Sequence, residues 1–216
     1  MKEEKTRKLA IIMVGAPGSG KGTQGEFLEK NTGFKRYVMS DLIKKELKPK
    51  MPLYDKVFKE GILLGDSDIF EIFRKHFKSE KQIIVDGIPR TLDQAYWLYG
   101  FLMRHNYEIE LVYIRVNEKD LIKRITSRYY CPKCHKLYNT IISEKKPKVA
   151  GICDDDGEKL IQREDDNKKV FQERIKTFDE VRDVILDVYK GDIIEVNGDD
   201  SIDKVSQSLI RKIILR

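Results

Sequence analysis

Cysteine is scarce: three in 216 residues. An odd number that small does not build a disulfide framework. Proline is sparse too, with six, and tryptophan occurs once. No apolar run is long enough to span a bilayer, and residues 1–8 carry charge but no apolar stretch of signal-peptide length. The expectation is a cytoplasmic protein with no membrane partner. There are no repeats, low-complexity tracts or flexible linkers. Charge is abundant. Lysine and arginine number 42 against 36 acids, for a formal net charge of +6. That balance invites a nucleic-acid reading, but acids and bases alternate, which suits a solvated surface around internal phosphate-binding arginines. With 40% hydrophobic residues the chain can bury a core, enough for one main domain with insertions or two small ones.

The most informative stretch is Gly15-Ala16-Pro17-Gly18-Ser19-Gly20-Lys21-Gly22-Thr23. It follows an apolar run over 9–14 that reads as a strand buried on both faces, and it precedes a helical stretch over 24–30. Strand, glycine loop and helix make the setting of a phosphate-binding loop. Glycines let several backbone N–H groups turn inward, and the helix adds its positive end. Lys21 supplies a cation for outer phosphates, and Thr23 offers a hydroxyl for a magnesium ion. Gly22 stands where the general pattern has Ser or Thr.

Further strands are expected over 33–39, 81–86, 110–116 and 192–196. Helices are expected over 40–47 (capped by Ser40), 54–61, 68–77, 91–106, 118–128, 166–189 and 202–215. Strands alternating with helices predict an α/β fold, a parallel sheet covered on both faces, with ligands at the carboxyl ends of strands. Asp86 sits at such an end, in Asp86-Gly87-Ile88-Pro89-Arg90. An acid there can organise magnesium, and the guanidinium of Arg90 can clamp phosphate. Arg124 and Arg128 are expected one turn apart on one helix face. Arg163 and Arg174 flank the other side of an irregular segment over 129–161.

That segment holds Cys131-Pro132-Lys133-Cys134 and Cys153-Asp154-Asp155-Asp156. A Cys-x2-Cys knuckle and a Cys-x2-Asp of matched spacing suit a closed, tetrahedral, structural zinc site, which would staple a segment too short and polar for its own core. Matched spacing points to Asp156, with Asp154 and Asp155 adjacent, and His135 is a weaker candidate. The competing reading is a redox pair plus a stray thiol.

Taken in order, the glycine loop, the Asp86–Arg90 motif, Arg163-Glu164-Asp165-Asp166 and the cysteine insert resemble the adenylate kinase family, in its long-lid, zinc-bearing bacterial form. The Gly22-Thr23 ending is what that family has. The resemblance implies a P-loop kinase that reversibly transfers phosphoryl from ATP to AMP with Mg2+, giving two ADP, and carries structural Zn2+. It implies a monomer with a core over 1–37, 65–128 and 162–216, a nucleoside-monophosphate insert over 38–64 and a lid over 129–161. By position it implies that ATP is held by Gly15 to Thr23 with Arg124 and Arg128. Catalytic cations are Lys21, Arg90, Arg124, Arg128, Arg163 and Arg174. AMP contacts are Met39, Ser40, Lys44, Leu64, Gly87, Arg90, Gln94, Arg163 and Arg174. Thr23 and Asp86 organise magnesium through water, Asp165 and Asp166 form the lid hinge, and Cys131, Cys134, Cys153 and Asp156 bind zinc.

The AMP side departs from the family pattern. Met39 replaces a threonine, Lys44 an arginine, and the turn over 61–66 lacks a proline. These changes motivate an alternative acceptor such as UMP or CMP. A zinc-ribbon nucleic-acid binder is a second alternative, though it leaves the glycine loop and Arg90 without a role.

Overall fold

The computed structural model describes residues 8–49, 51–58, 62–162 and 168–214. Arg163, Asp165 and Asp166 lie outside the described residues. The principal sheet has five strands: β1 (Lys8–Val14), β2 (Lys35–Val38), β3 (Gln82–Asp86), β4 (Tyr107–Arg115) and β7 (Ile193–Asn197). Their order is β2-β3-β1-β4-β7, and every pairing is parallel. The helices are α1 (Lys21–Thr32), α2 (Met39–Glu46), α3 (Pro52–Phe58), α4 (Asp66–His76), α5 (Leu92–Arg104), α6 (Glu118–Thr126), α7 (Lys168–Val188) and α8 (Ile202–Ile214). None of the described helices is long and apolar enough to cross a membrane.

The two-residue period of β1 divides the core. Ala10, Ile12 and Val14 join one apolar cluster with side chains of α2, α4, α5 and α7. Ile11 and Met13 point the other way, to Leu28 of α1 and Val205, Leu209 and Ile213 of α8. This is why β1 reads as unbroken hydrophobicity: both faces are covered. On the second face, buried Gln24 of α1 donates to Ile202 O at 3.1 Å and accepts from the Ser206 hydroxyl at 2.7 Å, which locks α1 to α8. On the first face, Phe73 is almost fully buried among the rings of Tyr37, Phe77, Trp97 and Phe101.

A second, two-stranded antiparallel sheet pairs β5 (Arg128–Tyr130) with β6 (Leu137–Asn139). Bridges from Tyr130 to Ile161 and from Ile152 to Lys159 close the rest of that segment. It hangs from the end of α6. Asn139 donates to Arg124 O at 2.8 Å, Gln162 to Thr126 O at 2.9 Å, and the Thr140 N–H to Ser127 O at 3.0 Å. The carbonyls left open at the end of α6 thus find partners in the insert.

Three sequence expectations are corrected. Arg128 is not one turn along a helix from Arg124: α6 ends at Thr126, and Arg128 opens β5. Ser40 is not a cap, because α2 begins at Met39 and its cap position, Val38, makes no side-chain bond. β4 begins three residues before position 110. Tyr107 and Ile109 are buried there, but the intervening Glu108 interrupts the apolar run that marks the strand. Gly61, expected to end a helix, lies outside the described residues.

Replacing Phe73 by alanine removes the centre of the aromatic cluster. Such a change is expected to cost about 3–5 kcal/mol of unfolding free energy, measured as a lower urea midpoint with unchanged slope. A loss under about 1 kcal/mol would mean the cluster is not a packed core.

Candidate active site

The loop between β1 and α1 is shaped by close approach. Gly20 takes the cap position of α1 with φ 99°, a left-handed conformation suited to glycine. A Cβ at Gly15 would lie 2.8 Å from the carbonyl oxygen of Ile114 in β4, so the strand ends leave no room for a side chain. Ala16 packs with Leu121, Ile125, Phe171 and Ile175, which fixes the loop against α6 and α7. Pro17 and Gly18 complete the turn, and Ser19 is buried with its Oγ unpartnered among the described residues.

Lys21 folds back over this loop. Its Nζ donates to Gly15 O at 2.5 Å and Ala16 O at 2.9 Å. Burial pushes its pKa down to about 8; Asp86 opposes that shift, while Arg90, Arg174 and Arg128 add to it. Those four residues therefore lie within electrostatic reach of one lysine, although they come from β3, the loop after β3, α7 and β5. Arg90 reaches the open cleft and its Nε donates to Gly87 O at 2.9 Å. Although its side chain is open to solvent, the protein around it lowers its pKa below the usual guanidinium value, with Arg174 repelling and Asp86 attracting it. A crowd of cations that raise one another's free energy is a site made for a polyanion.

Asp86 is buried at the end of β3, where its Oδ2 accepts from Arg36 Nη2 at 2.7 Å. Sequence reasoning overlooked Arg36, which reads only as a strand residue. Its one trace is the pair Gly22 and Gly25 on the helix above it. Thr23 lies half-buried on the first turn of α1. Carboxylate and hydroxyl oxygens beside a cluster of cations are the donor chemistry that suits magnesium.

Arg124 is not drawn into that cluster. Its Nη2 donates to Gly198 O at 2.8 Å, and it lines a cavity of about 280 Å3 with Asp120, Lys123, Ile141, Ile142 and Asp199. On the other flank, Met39 is buried in the main core, and a Cβ at Gly87 would lie 3.2 Å from the Met39 Cβ. Met39 is thus a packing residue beneath the turn. Leu64 belongs to the same core, and Ser40 is half-buried. Lys44 is exposed, with its Nζ 5.8 Å from the Phe58 ring centroid. Gln94 is buried, its amide fixed at both ends: Oε1 accepts from the Arg90 N–H at 2.8 Å, and Nε2 donates to Asp66 at 2.7 Å. Its own N–H is capped by Thr91 Oγ1. Gln94 therefore ties the backbone of Arg90 to α4 and α5.

In the insert, the sulfurs of Cys131, Cys134 and Cys153 and a carboxylate oxygen of Asp156 all lie within 4.8 Å of one another. Cys134 and Cys153 sulfurs are 3.6 Å apart, and Cys131 Sγ is 3.3 Å from Asp156 Oδ2. A tetrahedron with zinc–sulfur bonds of about 2.3 Å has sulfur–sulfur edges of about 3.7 Å, so the set fits zinc. The two halves repeat one geometry. Cys131 N–H bonds Lys136 O and His135 N–H bonds Cys131 O; Cys153 N–H bonds Glu158 O and Gly157 N–H bonds Cys153 O. His135 and Gly157 take matching left-handed conformations, φ 62° and 72°. His135 is thereby a turn residue and no member of the cluster. The Glu158 N–H, donating to Asp156 Oδ1 at 3.0 Å, holds that carboxyl at about 2. Asp155 instead pairs with Lys136 at 2.7 Å, and Asp154 accepts from the Lys148 N–H at 2.8 Å. The cysteines form no disulfide.

The adenylate kinase family profile matches residues 13–194. The chain is 39% identical to the adenylate kinase of Mesoplasma florum over 83% of this chain and 86% of that protein. It is 37% identical to the adenylate kinase of Mycoplasma mycoides over 88% of this chain and 92% of that one. To the adenylate kinase of Thermotoga maritima it is 33% identical, over 93% and 95%.

A lysine that holds phosphate must be charged, and burial pushes the pKa of Lys21 down to about 8. A bound polyphosphate raises that pKa, so binding above pH 8 takes up a proton. Affinity for ATP is therefore expected to fall with rising pH above 8, approaching about tenfold per unit. Lys21→Arg, which does not titrate, should flatten this decline. Calorimetric binding between pH 7 and 9.5 measures it, and a slope equal in both proteins would remove Lys21 as the titrating group.

Proposed function

The chain belongs to the adenylate kinase family and transfers a phosphoryl group reversibly between ATP and AMP, giving two ADP, and we propose the following division of labour among its residues. The observation that carries it is the convergence of Lys21, Arg90, Arg128 and Arg174 on the carboxyl edge of the sheet beside Asp86.

An oxygen of the AMP phosphate bonds to the γ-phosphorus of ATP as the bond to the β,γ-bridging oxygen breaks. ADP forms on both sides. The reaction needs no general base from the protein, so positioning and charge do the work. The loop from Gly15 to Thr23 cradles the ATP phosphates, and Lys21 exchanges its two carbonyl partners for the outer ones. Arg90 lies between donor and acceptor phosphates, and Arg128 and Arg174, with Arg163, clamp the charge that spreads over the transferring group. Arg124 and its cavity take the ATP adenosine. Asp86 and Thr23 would hold magnesium through water, and the ion would supply neutralising charge on the ATP phosphates.

The insert over 38–64 takes AMP, with Lys44 serving its phosphate and Ser40, Leu64, Gly87 and Gln94 its nucleoside. Burial of Met39 weakens the case for a pyrimidine acceptor, since that side chain reads no base. The segment over 129–161 serves as a lid; the hinge acids that the resemblance implies, Asp165 and Asp166, lie outside the described residues. Cys131, Cys134, Cys153 and Asp156 would hold zinc as four protein ligands, which would leave no position for a catalytic water. The assigned partners are nucleotides alone, in a cytoplasmic monomer.

A coupled assay of ADP formation tests the assignment. ATP, AMP and magnesium should support turnover, and Lys21→Ala should lower it by about a thousandfold or more. AMP should outpace CMP, UMP and GMP; a faster pyrimidine would overturn the acceptor assignment.

Elemental analysis should find about one zinc per chain. Cys153→Ser should lower zinc affinity and reduce the melting temperature by about 5–10 °C, the loss of a few kcal/mol. Asp156→Ala should do so less. Asp155→Ala, which removes only a surface ion pair, should stay within about 2 °C. Melting unchanged by chelation would end the zinc assignment, and a larger effect at Asp155 than at Asp156 would reassign the ligand.

A further inference from the structure

Arg36 lies on β2, whose register sets Arg36 beside Ile84 and Val38 beside Asp86. Its guanidinium reaches Asp86 Oδ2 at 2.7 Å, and the two side chains are 13% and 9% exposed. The environment is otherwise unfavourable. Arg36 Nε is buried with no hydrogen-bond partner among the described residues. The group lies under the first turns of α1, whose N-terminal end is positive. It fits only because that helix lacks a side chain at Gly25, where a Cβ would come 2.8 Å from Nε; at Gly22 a Cβ would stand in ordinary contact, 3.7 Å from Nη2. Glycine inside a helix is itself destabilising. A buried ion pair with an orphaned donor, obtained at the expense of helix stability, is poorly explained as a device for holding the fold.

Its effect on the site is plain. An uncompensated Asp86 carboxylate would repel ATP phosphates. Lys21 and Arg90 feel that carboxylate from a distance, but the cations that can meet it directly are the metal that accompanies ATP and Arg36, whose Nη2 lies 2.7 Å from Oδ2. We propose that Arg36 is the built-in counter-ion of Asp86 and sets how strongly ATP binding depends on magnesium. With Arg36 in place, metal-free ATP meets a neutralised acid, so the difference between magnesium-loaded and metal-free ATP is small. Without it, metal-free ATP is repelled and the magnesium form gains, so the difference widens. The inference rests on the assignment of Asp86 to magnesium.

The test is calorimetric binding of ATP in EDTA and in excess MgCl2, read as the ratio of the two Kd values and independent of turnover. In Arg36→Gln the ratio should rise about tenfold or more. Arg36→Lys, which keeps a cation, should stay near the original ratio. Gly25→Ala places a methyl where Nε lies and should reproduce Arg36→Gln. Added to Arg36→Gln, the same change should leave the ratio where it is, because the guanidinium it would displace is gone. Asp86→Asn should shrink the ratio. If it does so while folded Arg36→Gln and Gly25→Ala leave the ratio unchanged, Arg36 is not the counter-ion and the proposal falls alone. If Asp86→Asn leaves the ratio unchanged, the magnesium role of Asp86 falls and takes the proposal with it.

Discussion

Mutual repulsion among cations gathered around one buried carboxylate is the constraint on which this structure turns. Asp86 is paired by Arg36 and attracts both Lys21 and Arg90, while Arg90, Arg128 and Arg174 all work against the charge on Lys21. Left to themselves such groups would move apart into water, where each is better solvated. They stay because four different parts of the fold hold them. β3 delivers Asp86 and the turn after it delivers Arg90, α7 carries Arg174, and β5 carries Arg128. The strain is relieved when a polyphosphate arrives, and that relief is preorganised binding energy.

A parallel sheet is well suited to this. Its strands all end on one side, so β1 and β3 present the glycine loop and Asp86 side by side; Met13 and Asp86 are partners in the register. The loop is then fastened from outside, by the packing of Ala16 on α6 and α7 and by the Gln24–Ser206 bond between α1 and α8. These contacts are apolar or neutral, so they hold whether the site is empty or full.

Much of this was legible in the chain. Residues 9–14, 81–86 and 192–196 announce strands because each is an apolar run bounded by turns, and the glycine loop and the Asp86–Arg90 motif fall at the ends of the first two. What was hidden was hidden for physical reasons. The early part of β4 is one-faced, and Glu108 disguises it. Arg128 follows a helical pattern in sequence, yet the fold ends α6 at Thr126, because the insert supplies partners for its last carbonyls. Met39 looks like a base-reading position altered, and is core. Arg36 left no local signal, since its meaning depends on Asp86, fifty residues away, and on missing side chains in a helix. Long-range charge pairing is what a pattern of periods and turns does not record.

The cysteine cluster has a consequence for Arg128 that chemistry at the metal would not provide. Arg128 opens β5, and its cross-strand partner is Asn139, which is bonded back to α6. Cys131 follows β5 directly, and its N–H and carbonyl are tied into the first knuckle. The second knuckle repeats that geometry and meets the first at the ligand atoms; the apolar side chains packed with the cysteines, among the described residues, are Tyr138, Leu160 and the partly buried Tyr129. So small a core would not fix a hairpin by itself. Four ligands closing on one ion would join the two knuckles into a rigid unit, with Arg128 at its edge and the whole hung from the end of α6. The metal site's contribution is therefore positional. A cation held on such a unit would be positioned as part of a solid body, where a lone arginine on a flexible loop would lose side-chain and backbone entropy each time it was ordered.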